Sequence, residues 1–302
     1  MVVYQEPGTL GEAAALARAH PDAMFLSGGT AVVLMLKQRL INPATLISLR
    51  GLTDVPGWRQ ITLTDTWLRI GAGVSLSAVA GSDLVRRSAS SLAEAAGVVG
   101  NVRIRNAATM GGNIAEADYA SDPPAALVNL DAEIEVRSDV ASRTVPASEM
   151  FTDFYATDLR EGEIVTGVRI PVSDPPPRQS YLKFRSRSAE DRPCVGVAVS
   201  LRLSGDAEAQ PGPARAGAVE SLRVVIGAVA GTPQRWPEIT EPVVGRVLDH
   251  RLAQQVAQQH ADAVDPISDV RGSEWYRREM VRVLVRRCLE SLAGSGEASG
   301  DG

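Results

Sequence analysis

Two glycine pairs, Gly28-Gly29 and Gly111-Gly112, stand about eighty residues apart and constrain this chain more than any other feature. The first lies in Ser27-Gly28-Gly29-Thr30-Ala31, directly after the short apolar run Ala23-Met24-Phe25-Leu26. Such a run reads as a buried strand that stops at a glycine turn. Residues 31–39 read as a helix, broken at Asn42-Pro43, and Thr45-Leu46-Ile47-Ser48-Leu49 as a second strand. With a helix over 9–19 that starts near Thr9, the first fifty residues are expected to form a small βαβ-like unit. Glycines in its turn let the backbone take left-handed angles and approach a ligand closely. Successive N–H groups at a helix start also make an anion site. A purely structural turn accounts for the same five residues as well.

The second pair lies in Thr109-Met110-Gly111-Gly112-Asn113-Ile114-Ala115, after Arg103-Ile104-Arg105-Asn106-Ala107-Ala108. Residues 97–106 are expected to be irregular and residues 107–120 to form a long ordered loop. A loop of that composition inside a compact domain is usually functional; the structural alternative is a tight connection. Two glycine turns can grip the two phosphates of one pyrophosphate from opposite sides, each hydrogen bond to the charged group contributing about 1.5–3 kcal/mol. Neither turn fits the Rossmann fingerprint or a P-loop. Asp122, in Ser121-Asp122-Pro123-Pro124, is expected to cap a helix running to Asn129 with proline in its first turn. Its carboxylate can also accept from a ribose hydroxyl.

Residues 67–73 start a second unit; further helices are expected over 75–80, 84–96, 243–260 and 275–293, and strands over 132–136, 164–170, 181–185, 195–203 and 222–229. Ser173-Asp174-Pro175-Pro176-Pro177 is the clearest linker and marks a domain boundary. Residues 205–217 read as a loose tip and 294–302 as a disordered tail. A net charge of -5 gives no electrostatic footprint for nucleic acid. No apolar run approaches the roughly 20 residues of a membrane span, and the first residues carry no signal-peptide core, so a cytoplasmic location is expected. Cys194 and Cys288 are far apart, with no second Cys or His at ligand spacing, so neither a disulfide framework nor an iron–sulfur cluster is expected in this chain. His20, His250 and His260 read as solvated surface residues. Lys37 and Lys183 are the only lysines. No acid–base dyad or metal site is evident, so no catalytic residue and no metal ligand is assigned.

Taken together, Ser-Gly-Gly-Thr-Ala and Thr-Met-Gly-Gly-Asn at this spacing resemble the FAD-binding medium subunit of the molybdenum hydroxylases, the xanthine dehydrogenase and aerobic carbon monoxide dehydrogenase family. Glu163-Ile164-Val165, Ile170-Pro171, Tyr181-Leu182-Lys183-Phe184-Arg185, Val195-Gly196-Val197-Ala198-Val199 and Pro266-Ile267-Ser268-Asp269-Val270-Arg271-Gly272-Ser273 follow that family's order over nearly the whole chain.

The resemblance implies an α+β protein with α/β lobes. A two-lobed FAD-binding domain of the vanillyl-alcohol-oxidase/PCMH type spans 1–172, with lobes of about 1–52 and 53–172. A C-terminal domain with a small antiparallel sheet and helices spans 178–293. It further implies that Phe25, Leu26, Ser27, Gly28, Gly29, Thr30, Ala31 and Val32 wrap the pyrophosphate and adjoining ribityl groups of FAD. Thr109, Met110, Gly111, Gly112 and Asn113 complete the grip, with Asp122 nearby. Val99 makes an apolar contact, Val165 a contact at the adenine end, Lys183 touches the flavin, and residues 190–195 lie near its ring. The FAD is non-covalent, since no His lies in these motifs.

Molybdenum cofactor and two-iron two-sulfur clusters are implied only in partners: a large molybdenum-binding subunit and a small iron–sulfur subunit, arranged as a dimer of heterotrimers. Electrons then pass from the clusters through FAD to NAD, a quinone or oxygen. Arg192 and Pro193 stand where many members of the family have an apolar or aromatic residue. An Arg there can attract a nicotinamide phosphate or simply cover the ring. The alternatives are a stand-alone FAD-dependent reductase of the related fold and a flavin-free scaffold; the missing acid–base group speaks against the first and the intact glycine pairs against the second.

Overall fold

The computed structural model describes residues 2–188, 190–206 and 217–294. Most of the loose tip expected at 205–217, and all but the first residue of the expected tail, lie outside the described residues. The chain begins with β1 (Val3–Gln5), α1 (Leu10–Ala19), β2 (Met24–Leu26), α2 (Val32–Lys37) and β3 (Thr45–Ser48). The three strands are parallel in the order β1-β3-β2. α1 starts at Leu10 because Thr9 and Glu12 satisfy each other's backbone N–H groups, at 3.2 Å in both directions. Every residue of the central strand β3 is buried, the polar Thr45 and Ser48 included, whereas β2, expected as the buried strand, is only half-buried because it lies at the edge of the sheet.

The next stretch holds β4 (Ile61–Leu63), β5 (Trp67–Gly71), α3 (Leu76–Gly81), α4 (Asp83–Ser88), α5 (Ser90–Gly97), α6 (Val102–Ala107), α7 (Met110–Glu116) and α8 (Pro123–Asn129). β6 (Glu133–Arg137), β7 (Ser142–Pro146), α9 (Ala147–Met150), β8 (Phe151–Asp153), β9 (Ala156–Thr157) and β10 (Ile164–Pro171) follow. An antiparallel sheet in the order β4-β5-β10-β6-β7 carries the helices.

Three local expectations fail here. Residues 97–106 are not all irregular: α6 forms, capped by Asn101, whose Oδ1 accepts the Ile104 N–H at 3.1 Å. Residues 107–120 are not one loop. A glycine pair costs a helix about 1 kcal/mol per glycine relative to alanine, but tertiary contacts outweigh that in α7. Met110 N–H donates to Val74 O and Gly111 N–H to Ala72 O, both at 2.9 Å, and the Met110 and Ile114 side chains are wholly buried. The helix expected over 84–96 is two, α4 and α5, parted at Ala89 (φ -145, ψ 57). Buried Val85, Ala89, Leu92 and Ala96 keep helical spacing straight through the break, so periodicity alone cannot reveal it.

After Pro171 come β11 (Arg178–Phe184), β12 (Val195–Leu203), β13 (Val219–Gly227) and β14 (Gln234–Arg235), an antiparallel sheet in that order, then α10 (Pro237–Thr240), α11 (His250–Ala263) and α12 (Glu274–Ala293). Both faces of this sheet are covered. Val195, Val197, Val199 and Leu201 of β12 join a core with α11 and α12, whereas Ala198 joins the core of the preceding residues beside α5 and α8. α11 starts at His250 rather than at 243, because Asp249 Oδ1 accepts the Leu252 N–H at 2.7 Å and sets the cap there. His260 is not a surface residue. It is wholly buried, its ring edge-on to Trp236, with Nδ1 bonded to Val256 O at 2.8 Å, and burial pushes its pKa down.

Candidate functional site

The β2–α2 turn and the start of α7 face each other across a cavity of about 610 Å³, well inside the range of about 300–1,000 Å³ for small-molecule sites. They meet tightly. A Cβ on Gly28 would lie 2.1 Å from Ala107 O and 2.9 Å from Ala108 Cα, so only glycine permits this approach. Thr109 Oγ1 donates to Ser27 Oγ at 2.9 Å across the same junction. A Cβ on Gly111 would lie 2.6 Å from the Ala72 side chain, so Gly111 lets α7 sit against the end of β5.

The two turns are not equivalent as donors. In α7 the first four amides are already used: Met110 and Gly111 on backbone carbonyls, Gly112 on Thr109 Oγ1 and Asn113 on Thr109 O. In the first turn, with Gly29 at φ 75, the amides of Gly28, Gly29, Thr30, Ala31 and Val32 have no protein acceptor among the described residues. A group rich in anionic oxygens therefore finds backbone donors at residues 28–32. Beside α7 it finds the hydroxyl of Ser27, which the Thr109 hydroxyl orients, and the second Nδ2 proton of Asn113. Asn113 Nδ2 donates to Ser121 Oγ at 2.8 Å, while its buried Oδ1 has no partner.

Of the residues assigned from sequence, Phe25, Ser27, Gly28, Gly29, Thr30, Ala31, Val32, Val99, Thr109, Gly111, Gly112, Asn113, Asp122, Val165 and Lys183 line this one cavity. Leu26 and Met110 do not; the Met110 side chain is fully buried in the core behind α7. Asp122 does not act as a side-chain cap of α8. Its backbone is already helical, and its carboxylate turns to β11 instead. There Oδ1 accepts from Tyr181 Oη at 2.8 Å and Oδ2 from Lys183 Nζ at 2.9 Å. Lys183 Nζ also donates to Val98 O at 2.9 Å, so one of its three N–H bonds remains for the cavity. Burial lifts the Asp122 carboxyl to about 6, although Lys183 and Tyr181 pull the other way. Lys183 is not a surface residue: its side chain is 3% exposed.

Sequence reasoning missed several wall residues. Trp58, Ile104, Leu159 and Ile164 add apolar surface, and Glu116, Asp118 and Ser121 add polar groups. They come from several separate places in the chain: the connection before β4, α6, α7, the α7–α8 connection, the segment before β10, and β10 itself. Arg192 lies at the cavity with Nε 2.9 Å from Asp118 Oδ2 and Nη1 bonded to Tyr155 Oη. Burial foremost, then Asp118, raises the pKa of Glu116. Pro266–Ser273, set apart in the sequence, returns to this wall: Tyr119 Oη donates to Asp269 Oδ2 at 2.9 Å, and Arg271 Nη1 donates to Tyr119 Oη at 2.7 Å.

Residues 1–173 match the FAD binding domain in molybdopterin dehydrogenase, and residues 180–292 match the CO dehydrogenase flavoprotein C-terminal domain. The chain belongs to the FAD-binding medium subunits of the molybdenum hydroxylases. It is an oxidoreductase subunit with an α+β fold. The glyceraldehyde dehydrogenase medium chain of Sulfolobus acidocaldarius is 29% identical, over 96% of this chain and 98% of that one. The carbon monoxide dehydrogenase medium chain of Afipia carboxidovorans is 31% identical, over 95% of each. Reconstituted CO dehydrogenase from Oligotropha carboxidovorans superposes with a TM-score of 0.88 at 29% identity, covering 98% of this flavoprotein subunit and 99% of that chain. No helix among the described residues is long and apolar enough to cross a membrane.

Proposed function

We propose that this subunit holds non-covalent FAD in the cavity between the β2–α2 glycine turn and the start of α7, takes electrons from iron–sulfur clusters of a partner, and passes them to an acceptor such as NAD, a quinone or oxygen. The observation that carries the reading is the run of amides at residues 28–32 without a protein acceptor among the described residues, facing Asn113 across one cavity. Those amides, with no charged side chain among them, suit a pyrophosphate. Phe25, Val99 and Val165 offer apolar surface, and Lys183 offers one N–H from an otherwise compensated ion pair. FAD supplies the exchange between single-electron and two-electron carriers, while the chain positions it and sets its electrostatics.

In this reading residues 1–172 are the flavin domain, with lobes of about 1–52 and 53–172, and residues 178–293 are the C-terminal domain. The partners are a large molybdenum-binding subunit and a small iron–sulfur subunit, in a dimer of heterotrimers in the cytoplasm. The test is to purify the chain with whatever binds it in its native cell and assay flavin, iron and molybdenum in one peak. All three together support the reading. FAD without metals turns it into a stand-alone reductase. An intact complex without flavin refutes it.

A further inference from the structure

We infer that Tyr181 is the positioning residue for the Asp122 carboxylate, holding it in one orientation against Lys183 at the wall of the cavity. This rests on reading that cavity as the flavin site. Tyr181 and Lys183 are two apart on β11 and so share a face of the strand. They grip the two oxygens of Asp122 separately, Tyr181 taking Oδ1 and Lys183 taking Oδ2.

The tyrosine is itself held at both ends. Its backbone N–H donates to Glu94 Oε2 at 2.6 Å, and its ring crosses Gly196 of β12, where a Cβ would fall 2.4 Å from the hydroxyl. Glycine at 196 is what leaves room for the hydroxyl to reach Asp122. Burial foremost, then Asp122 itself, keeps the Tyr181 hydroxyl protonated far above its ordinary range, so it stays a donor at every working pH.

The consequence is electrostatic. A hydrogen bond to the ionised form lowers a carboxyl pKa, and its loss raises it. Asp122, lifted by burial to about 6, is close enough to neutrality that losing one donor changes its charge there. Lys183 would then face the cofactor without its counter-ion. The other groups around Asp122 do not replace Tyr181. Arg185 acts on Asp122 by charge alone, and Glu94 and Cys288 lie on the far side of Tyr181. Glu116, Asp118, Glu163 and Glu190 also line the cavity, with Arg192 paired to Asp118.

The experiment uses the assembled, FAD-loaded enzyme. The midpoint potential of the FAD is measured spectroelectrochemically from about pH 5 to about pH 9, a window around the expected titration. The wild type should show, besides the ionisation of reduced flavin itself, a break near pH 6 in potential against pH, and Asp122→Asn should remove that contribution. Tyr181→Phe should retain FAD and move the break up by about one to two pH units, the equivalent of one hydrogen bond to a charged group. Gly196→Ala, which displaces the hydroxyl without removing it, should move the break in the same direction. Superimposed curves for wild type and Tyr181→Phe, with the break lost in Asp122→Asn, would overturn the role of Tyr181 alone. A pH profile identical in wild type, Asp122→Asn and Tyr181→Phe would leave only the ionisation of reduced flavin itself and overturn the link from Asp122 to the cofactor, and a wild type without FAD would overturn the flavin-site reading along with it.

Discussion

Gly28→Ala is the sharpest single test of how the two turns are joined. The new Cβ would meet Ala107 O at 2.1 Å, Ala107 C at 2.8 Å and Ala108 Cα at 2.9 Å. All three atoms are backbone, held where α6 ends and α7 is capped, so no rotamer change relieves the clash. The β2–α2 turn must back away, which breaks the bond from Thr109 Oγ1 to Ser27 Oγ. Overpacking costs about 1–3 kcal/mol and the lost hydrogen bond about 1 kcal/mol. The combined effect is about 2–4 kcal/mol, or roughly 30- to 1,000-fold in FAD dissociation constant.

The assay is flavin fluorescence quenching on the deflavinated enzyme, with thermal melting of the same samples to separate lost affinity from lost fold. Two substitutions calibrate it. Gly112→Ala meets the Thr109 hydroxyl at 2.9 Å and, at ordinary contact distance, Ser27 Cβ at 3.8 Å, and should weaken binding less than Gly28→Ala. Gly11→Ala meets nothing within 4 Å on an exposed face of α1 and should leave binding unchanged while stabilising the chain by about 1 kcal/mol. Wild-type affinity in Gly28→Ala would show that the close approach of the two turns is not what holds the cofactor site together.

Two further outcomes follow from the buried charges. Arg277 is fully buried and donates to Cys194 O, Ala228 O and Asp269 Oδ1, so Arg277→Met strands three acceptors; a loss of about 3–5 kcal/mol should lower the melting temperature by at least about 6 °C, and a melt within one degree of wild type would refute the role. Asp269 and Asp122 should drive stability in opposite directions with pH. Burial alone would raise the Asp269 carboxyl, but the Arg271 amide, Arg277 and Tyr119 hold it at about 2, so its contribution is complete above the ordinary value of 3.8 and is lost as pH falls through about 2. Asp122 is raised to about 6, so the folded state gains stability as pH falls from about 6 towards 3.8. Melting curves should show Asp269→Asn flattening the acid-side loss and Asp122→Asn removing the gain; an unchanged profile in either variant would discard that assignment.

Much of the local architecture was written in short-range signals. Thr9 with Glu12, Pro123 at the start of α8, and the all-buried β3 each depend on neighbours within a few residues, so their elements appear where the pattern puts them. Both glycine pairs were visible for the same reason, and fifteen of the seventeen residues assigned around them line one cavity. The sequence by itself therefore determined that a glycine turn follows β2 and where most strands run, but not that the second glycine pair lies inside α7 or that β2 is only half-buried.

Tertiary structure decided which of these groups are free to act. The amides at 110–113 are consumed by Val74, Ala72 and Thr109, whereas those at 28–32 are not, and no local pattern separates the two glycine turns on that point. Asp122 looks like a helix cap in sequence, and Tyr181 and Lys183 like ordinary strand residues. They meet only because β11, about sixty residues downstream of Asp122, packs against α5. Burial turned His260 from an expected surface residue into a neutral core one, and it lifted Asp122 to about 6. Hydrogen-bond saturation and desolvation depend on what the rest of the chain brings within a few ångströms, and that information is spread over residues too distant in sequence for any local pattern to hold.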